Sequence, residues 1–231
     1  MGRGKGRGDG TIADIRVVHA IPDAPPVDVA VDGGQVLDEF PFAAISPYVD
    51  LEKGSYQVTV TVDDDTDAVV ATPFDQEFTL GANTDYTVAA TGTLDDSDDA
   101  DPVLVPFIDD NDPAPADAAR VRAVHLSPDA PPVDVAVAGG GPVLIEDLAF
   151  REASDYIEVP GGDYTLAIQP AGSGSDLFTF DVSLENATTY SAFALGKLFD
   201  DEGDIQTGGE DGFRVVPSLD SESPAKGRGK P

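Results

Sequence analysis

Residues 16–31 read RVVHAIPDAPPVDVAV, and 106 positions later residues 122–137 read RAVHLSPDAPPVDVAV. The echo continues downstream. Ser46-Pro-Tyr48 returns as Ser154-Asp-Tyr156, Gly54-x-Tyr56 as Gly162-x-Tyr164, and Tyr86-x(5)-Gly92-x-Leu94 as Tyr190-x(5)-Gly196-x-Leu198. A period of about a hundred residues is too long for a solenoid unit, whose repeats run roughly 20–50 residues. It is the size of an independent domain. The chain therefore reads as two like domains in tandem, and the positions kept in both copies mark what the unit needs.

Alternation with period two runs through each copy. Val27, Val29 and Val31 alternate with Asp28, Ala30 and Asp32, and Tyr56, Val58, Val60 and Val62 alternate with Gln57, Thr59 and Thr61. Each pattern describes a strand with one face in a core. Turn signals such as Pro-Asp, Asp-Gly-Gly and Lys-Gly-Ser fall at intervals of about 8–12 residues, the spacing of a sandwich. No stretch shows a sustained helical period. The expected fold is all-β: two tandem Ig-like antiparallel β-sandwich domains, at 12–112 and 118–220. A Pro/Ala linker at 113–117 joins them as a semi-rigid spacer, and basic tails at 1–11 and 221–231 flank them. Each copy ends in a strand-like run interrupted by proline, Pro106 and Pro217, which cannot donate a ladder hydrogen bond and so belongs at a sheet edge.

The charge is uneven. Between Gly8 and Ala225 only seven basic residues face all 44 acidic ones, a balance of −37. Such a body repels itself at low salt, and at about 1 M salt the Debye length falls to roughly 3 Å and the repulsion nearly vanishes. Together with 41% apolar residues, this reads as a folded protein of a halophile, stabilised by salt. The chain has no cysteine, which excludes disulfides, thiol nucleophiles and thiolate metal sites. No apolar run approaches the roughly 18 residues of a membrane span, and no hydrophobic leader follows the basic N-terminus as written. The Gly-Arg-Gly-Lys tails resemble nucleic-acid-binding arms, but the acidic body would repel phosphates, so no nucleic-acid partner is expected.

The opening motif, Arg16-Val-Val-His19 with Pro22-Asp-Ala-Pro-Pro-Val-Asp-Val29, and Leu51-x-x-Gly54-x-Tyr56 together resemble the domain of unknown function 4397 family. The resemblance spans both copies and suggests the type found in halophilic archaea. It implies β-rich domains, usually secreted or surface-attached, and brings no activity or mechanism with it. The expected address is extracellular or at the cell surface, although secreted members carry a leader that this sequence does not show.

The residues with chemistry are few. His19 and His125 are the only histidines, at matching positions. With Asp23 and Asp28, or Asp129 and Asp134, each could form a metal site or an acid–base pair. No nucleophile or further ligand recurs at fixed spacing, so the preferred reading is an imidazole that caps the Pro-Asp-Ala-Pro-Pro turn, with Asp23 and Asp129 closing Asx-turns. Tyr56 and Tyr164 resemble tyrosine corners. The acidic run of Asp95, Asp96, Asp98, Asp99 and Asp101 could hold calcium through hard oxygen ligands, although it lacks the EF-hand pattern, and no other cofactor is expected. Asn186-Ala-Thr188 is a glycosylation sequon. With no catalytic constellation, the expected function is a non-enzymatic structural or adhesion module. It could self-associate through edge strands or basic tails into a layer, matrix or filament. A carbohydrate-binding surface module that takes a glycan is the main alternative, and a calcium-binding or enzymatic domain a distant one.

Overall fold

The computed structural model describes residues 11–62, 74–94, 100–200, 203–207 and 209–222. In the first copy, β1 (Ile12–Ala20), β2 (Val27–Val31), β3 (Gly34–Phe40), β4 (Val49–Glu52), β5 (Gly54–Val62), β6 (Phe74–Leu80), β7 (Asp85–Thr91) and β8 (Val103–Asp109) form two sheets. Their orders are β3–β2–β5–β6 and β4–β1–β7–β8. In the second copy, β9 (Ala119–His125), β10 (Val133–Val137), β11 (Val143–Leu148), β12 (Glu152–Ala153), β13 (Ile157–Val159), β14 (Gly162–Pro170), β15 (Phe178–Leu184), β16 (Thr188–Leu195) and β17 (Arg214–Glu222) repeat the arrangement. There the orders are β11–β10–β14–β15 and β12–β9–β16–β17, with β13 also pairing β9. Each copy is a β-sandwich, and no helix occurs among the described residues.

Among the described strands, all pairings are antiparallel except β1 with β7 and β9 with β16. Those strands come from opposite ends of a copy, so no hairpin dictates their direction. Pro106 and Pro217 lie in β8 and β17, which are edge strands as the missing donor requires. In both copies a bulge breaks the pairing of the second strand with the third, leaving Glu39 and Asp147 at positive φ of 46° and 51°. Asp28 and Asp134 hold those bulges by accepting the Glu39 and Asp147 amides at 2.9 and 2.8 Å.

Inside each sandwich the alternating residues meet. Val27, Val29, Val58, Val60 and Val62 join Ile15 and Val88 in the first core, and Val133, Val135, Leu166 and Ile168 join Ala194 in the second. A third core lies between the copies. Val18, Ala20, Ala89 and Phe107 pack on Val124, Leu126, Phe193 and Leu195, so the β4–β1–β7–β8 sheet is buried on both faces against the β12–β9–β16–β17 sheet. The body is thus four layers of sheet. The Pro/Ala segment does not hold the sandwiches apart. Ala114 is buried, and the Ala187 amide in the β15–β16 turn donates to the carbonyls of Pro115 and Ala118.

Candidate functional site

The repeated motifs converge on one tie per copy. His19 lies at the end of β1, fully buried, where its Nδ1 accepts the Ile21 amide at 3.3 Å and its Nε2 lies 3.3 Å from the Pro25 carbonyl. An acceptor role at Nδ1 leaves the proton on Nε2, which donates to Pro25, so the ring is neutral. His125 does the same with Ser127 and Pro131. Both rings meet an aromatic edge, Phe42 and Phe150 respectively. Both ring nitrogens are thus engaged by backbone, which leaves neither free to ligate a metal or to move a proton.

Burial depresses the basicity of both histidines, His19 to about 4, with the Pro25 hydrogen bond opposing only partly. The unfolded ring titrates near 6.5, so in the window from about 6.5 down to about 4 the unfolded chain binds more protons. Stability must fall as pH falls through that window, by roughly 3 kcal/mol at most for His19. Asp220, which burial pushes above the ordinary carboxylate range, contributes in the opposite sense. A comparison of wild type with His19→Gln cancels that contribution. Melting curves in molar salt should show the wild type losing stability more steeply than the variant below pH 6.5, and parallel curves would contradict the assignment.

Asp23 and Asp129 do more than local turn chemistry asks. Asp23 accepts the Leu94 amide at 2.9 and 3.0 Å, 71 positions along the chain. Asp129 accepts the amides of Leu198 and Phe199 at 2.7 and 2.8 Å. The Pro-Asp-Ala-Pro-Pro and Gly-x-Leu motifs are therefore two halves of one clamp, which explains why both recur. Gly92 and Gly196, at φ 125° and 88°, let the chain turn against a neighbouring backbone to present those amides. Tyr56 and Tyr164 donate to the carbonyls four residues upstream, Glu52 and Pro160, at 2.8 and 2.7 Å, as tyrosine corners do.

The sequence reading missed a cluster between the sandwiches. Arg16 of β1 pairs with Asp220 of β17 at 2.7 Å, while Arg122 of β9 pairs with Asp109 of β8. The partners are exchanged: each arginine reaches the carboxylate of the other copy. All four side chains are at most 2% exposed. The supporting groups are equally matched. Thr87 and Tyr48 donate to Asp109 at 2.7 and 2.5 Å, and Ser191 and Tyr156 donate to Asp220 at 2.6 and 3.0 Å. Thr87 and Ser191 also accept from the Nε of Arg16 and Arg122 at 2.7 and 2.8 Å. Arg16 stacks over Tyr48 and Arg122 over Tyr156.

Burial, and then the facing carboxylates, push the phenols of Tyr48 and Tyr156 well above their usual range. Burial works against the Arg122 charge, yet Asp109, Tyr156 and Asp220 together hold its pKa above the ordinary guanidinium value. A signal was present in the sequence. In a body with seven basic residues, an arginine opens both copies of the motif, and an aspartate follows three positions after each edge proline.

The remaining candidates do not gather. Asp95, Asp96, Asp98 and Asp99 lie outside the described residues, and the Asp101 backbone carbonyl accepts Arg151. Among the described residues, no group of three or more His, Asp or Glu is placed to hold a metal ion. Asn186 is exposed in the β15–β16 turn, where its Oδ1 accepts the Gly161 amide at 2.8 Å. No helix among the described residues is long and apolar enough to cross a membrane.

Comparison with known proteins adds little on function. No curated protein matches the chain. Among solved structures, the TIE protein of Bacillus anthracis is 11% identical with a TM-score of 0.23, over 90% of this chain and 44% of that one. The chain thus spans less than half the length of that protein. A protein from Bacteroides ovatus described as a candidate adhesin is 9% identical with a TM-score of 0.25, over 89% of this chain and 95% of that one. Likenesses this distant carry no argument. The match to a family is of another order: its model covers residues 13–136 and 128–216, taking in both copies with their clamps and arginines, and the chain belongs to the family described as Domain of unknown function (DUF4397).

Proposed function

We propose that this protein is a non-enzymatic structural or adhesion module, working outside the cell or at its surface in molar salt. The observation that supports it best is the exchanged pair of buried ion pairs, Arg16–Asp220 and Arg122–Asp109, set within a shared apolar core. Two sandwiches joined this way resist bending at their junction, which suits a rigid building block and serves no catalytic step. The acidic body fits a halophilic setting, because screening by salt removes its self-repulsion.

Assembly into a layer, matrix or filament would use the edge strands, where Ile108 on β8 and Val49 on β4 are 69% and 55% exposed. A glycan-binding module would need aromatic platforms. All six tyrosine hydroxyls are engaged within the chain, and there is no tryptophan. Negative-stain microscopy and glycan-array binding at about 2 M salt separate the readings. Ordered assemblies without glycan specificity are expected, and specific glycan capture by a monodisperse monomer would reject the structural reading.

A further inference from the structure

The two sandwiches share a backbone plan but fill their interiors differently. Strand register gives the correspondence: Ile15 and Val17 of β1 answer to Val121 and Ala123 of β9, and Val88 of β7 to Ala192 of β16. On the facing sheet, Phe78 answers to Val182 and Phe40 to Leu148, judged by their partners Tyr56 and Tyr164, and Val27 and Val133. On the edge, Leu104 answers to Val215. At all six positions the second copy carries the smaller side chain. Leu166, Ile168 and Phe180 are larger than their counterparts Val58, Val60 and Gln76, but the losses outweigh these gains.

The six small residues line one space. Between the sheets of the second sandwich lies a cavity of about 640 Å³, within the range of small-molecule sites. Its wall is overwhelmingly hydrocarbon. The polar side chains that line it are already committed: Tyr164 donates to Pro160, Tyr190 accepts the Glu185 amide, His125 is tied to Pro131 and Ser127, Arg122 donates to Asp109 and Ser191, Asp181 accepts from Thr165, Ser183 donates to Asp163, and Ser218 accepts from Arg16. Its wall reaches the edge strands β15 and β17, where Leu219 is 48% exposed and Val182 half-buried. An apolar space this large costs stability in proportion to its volume unless an apolar molecule fills it.

We infer that the second sandwich, and not the first, binds a small uncharged molecule that is largely hydrocarbon, entering between β15 and β17. With every lining polar group committed, a charged ligand would lose its hydration without replacement. This goes beyond the structural role proposed above and does not depend on it.

The test uses the full chain in about 2 M salt, titrated with the uncharged fluorophore N-phenyl-1-naphthylamine. Saturable binding of one probe per chain is expected. Ala123→Val with Ala192→Val, which restores the residues of the first copy, should weaken it by at least about tenfold while circular dichroism stays unchanged. Val182→Phe at the mouth should do the same and serves if the double variant fails to fold. Val17→Ala in the first sandwich should leave probe affinity at the second site unchanged. Non-saturable binding, or filled variants that bind as tightly as wild type, would overturn the assignment.

Discussion

Replacing Arg122 with methionine should cost roughly 3–5 kcal/mol of unfolding free energy, because it strands a buried charge. The Asp109 side chain is fully buried, and without Arg122 its nearest cation is Arg16, whose Nε lies 3.8 Å away and which is already spent on Asp220. Tyr48 and Thr87 still donate to Asp109, but two neutral donors do not replace a guanidinium in a dry site. Arg16→Met should behave alike by stranding Asp220. Converting both partners, as in Arg122→Met with Asp109→Leu, should recover much of the loss, since the cost lies in the orphaned charge more than in the pair.

Urea denaturation in molar salt measures all of these. The penalty should barely change between about 0.5 and 2 M salt, because buried pairs escape the screening that governs the acidic surface. Wild type should unfold in a single transition, since neither sandwich can leave without exposing charges of both. A loss below about 1 kcal/mol in both single variants would show that the sandwiches do not depend on this junction.

The second large effect concerns glycine. Gly196→Ala should destabilise by about 3 kcal/mol or more, combining backbone strain with a clash. At φ 88° an added Cβ lands against the Gly212 carbonyl oxygen and 2.7 Å from that of Asp211, both backbone atoms that cannot rotate away. Relief would shift the Leu198 and Phe199 amides off Asp129, and the Gly196 carbonyl off the Ser127 hydroxyl, so the clamp would loosen with the turn. Gly92→Ala should match it, with the Ala100 carbonyl oxygen 2.5 Å from the new Cβ. Gly172 is the control. Its φ is 71°, but nothing lies within 4 Å of an added Cβ, so alanine there should bring only the strain, about 1 kcal/mol. Thermal melts of the three variants decide the point. Equal losses at Gly172 and Gly196 would mean that close approach is not what the motif protects.

The repeat, the β-sandwich fold and the edge position of Pro106 and Pro217 were legible because each rests on a local rule: a length, a period of two, a missing donor. Turning His19 and His125 onto their own proline turns also needs only neighbouring residues. The partners of Asp23 and Asp129 were beyond reach, since a carboxylate looks the same in sequence whether it closes its own turn or clamps an amide 71 positions away. The sequence by itself therefore determined the units and their strands. Only the tertiary structure decided that the two inner sheets meet, which turned a Pro/Ala spacer into a packed seam and buried Arg16 and Arg122. The same holds for the cavity. Ala123 and Ala192 read as ordinary strand alanines until pairing sets them side by side, because the volume a core must fill belongs to several strands at once and is written in none of them.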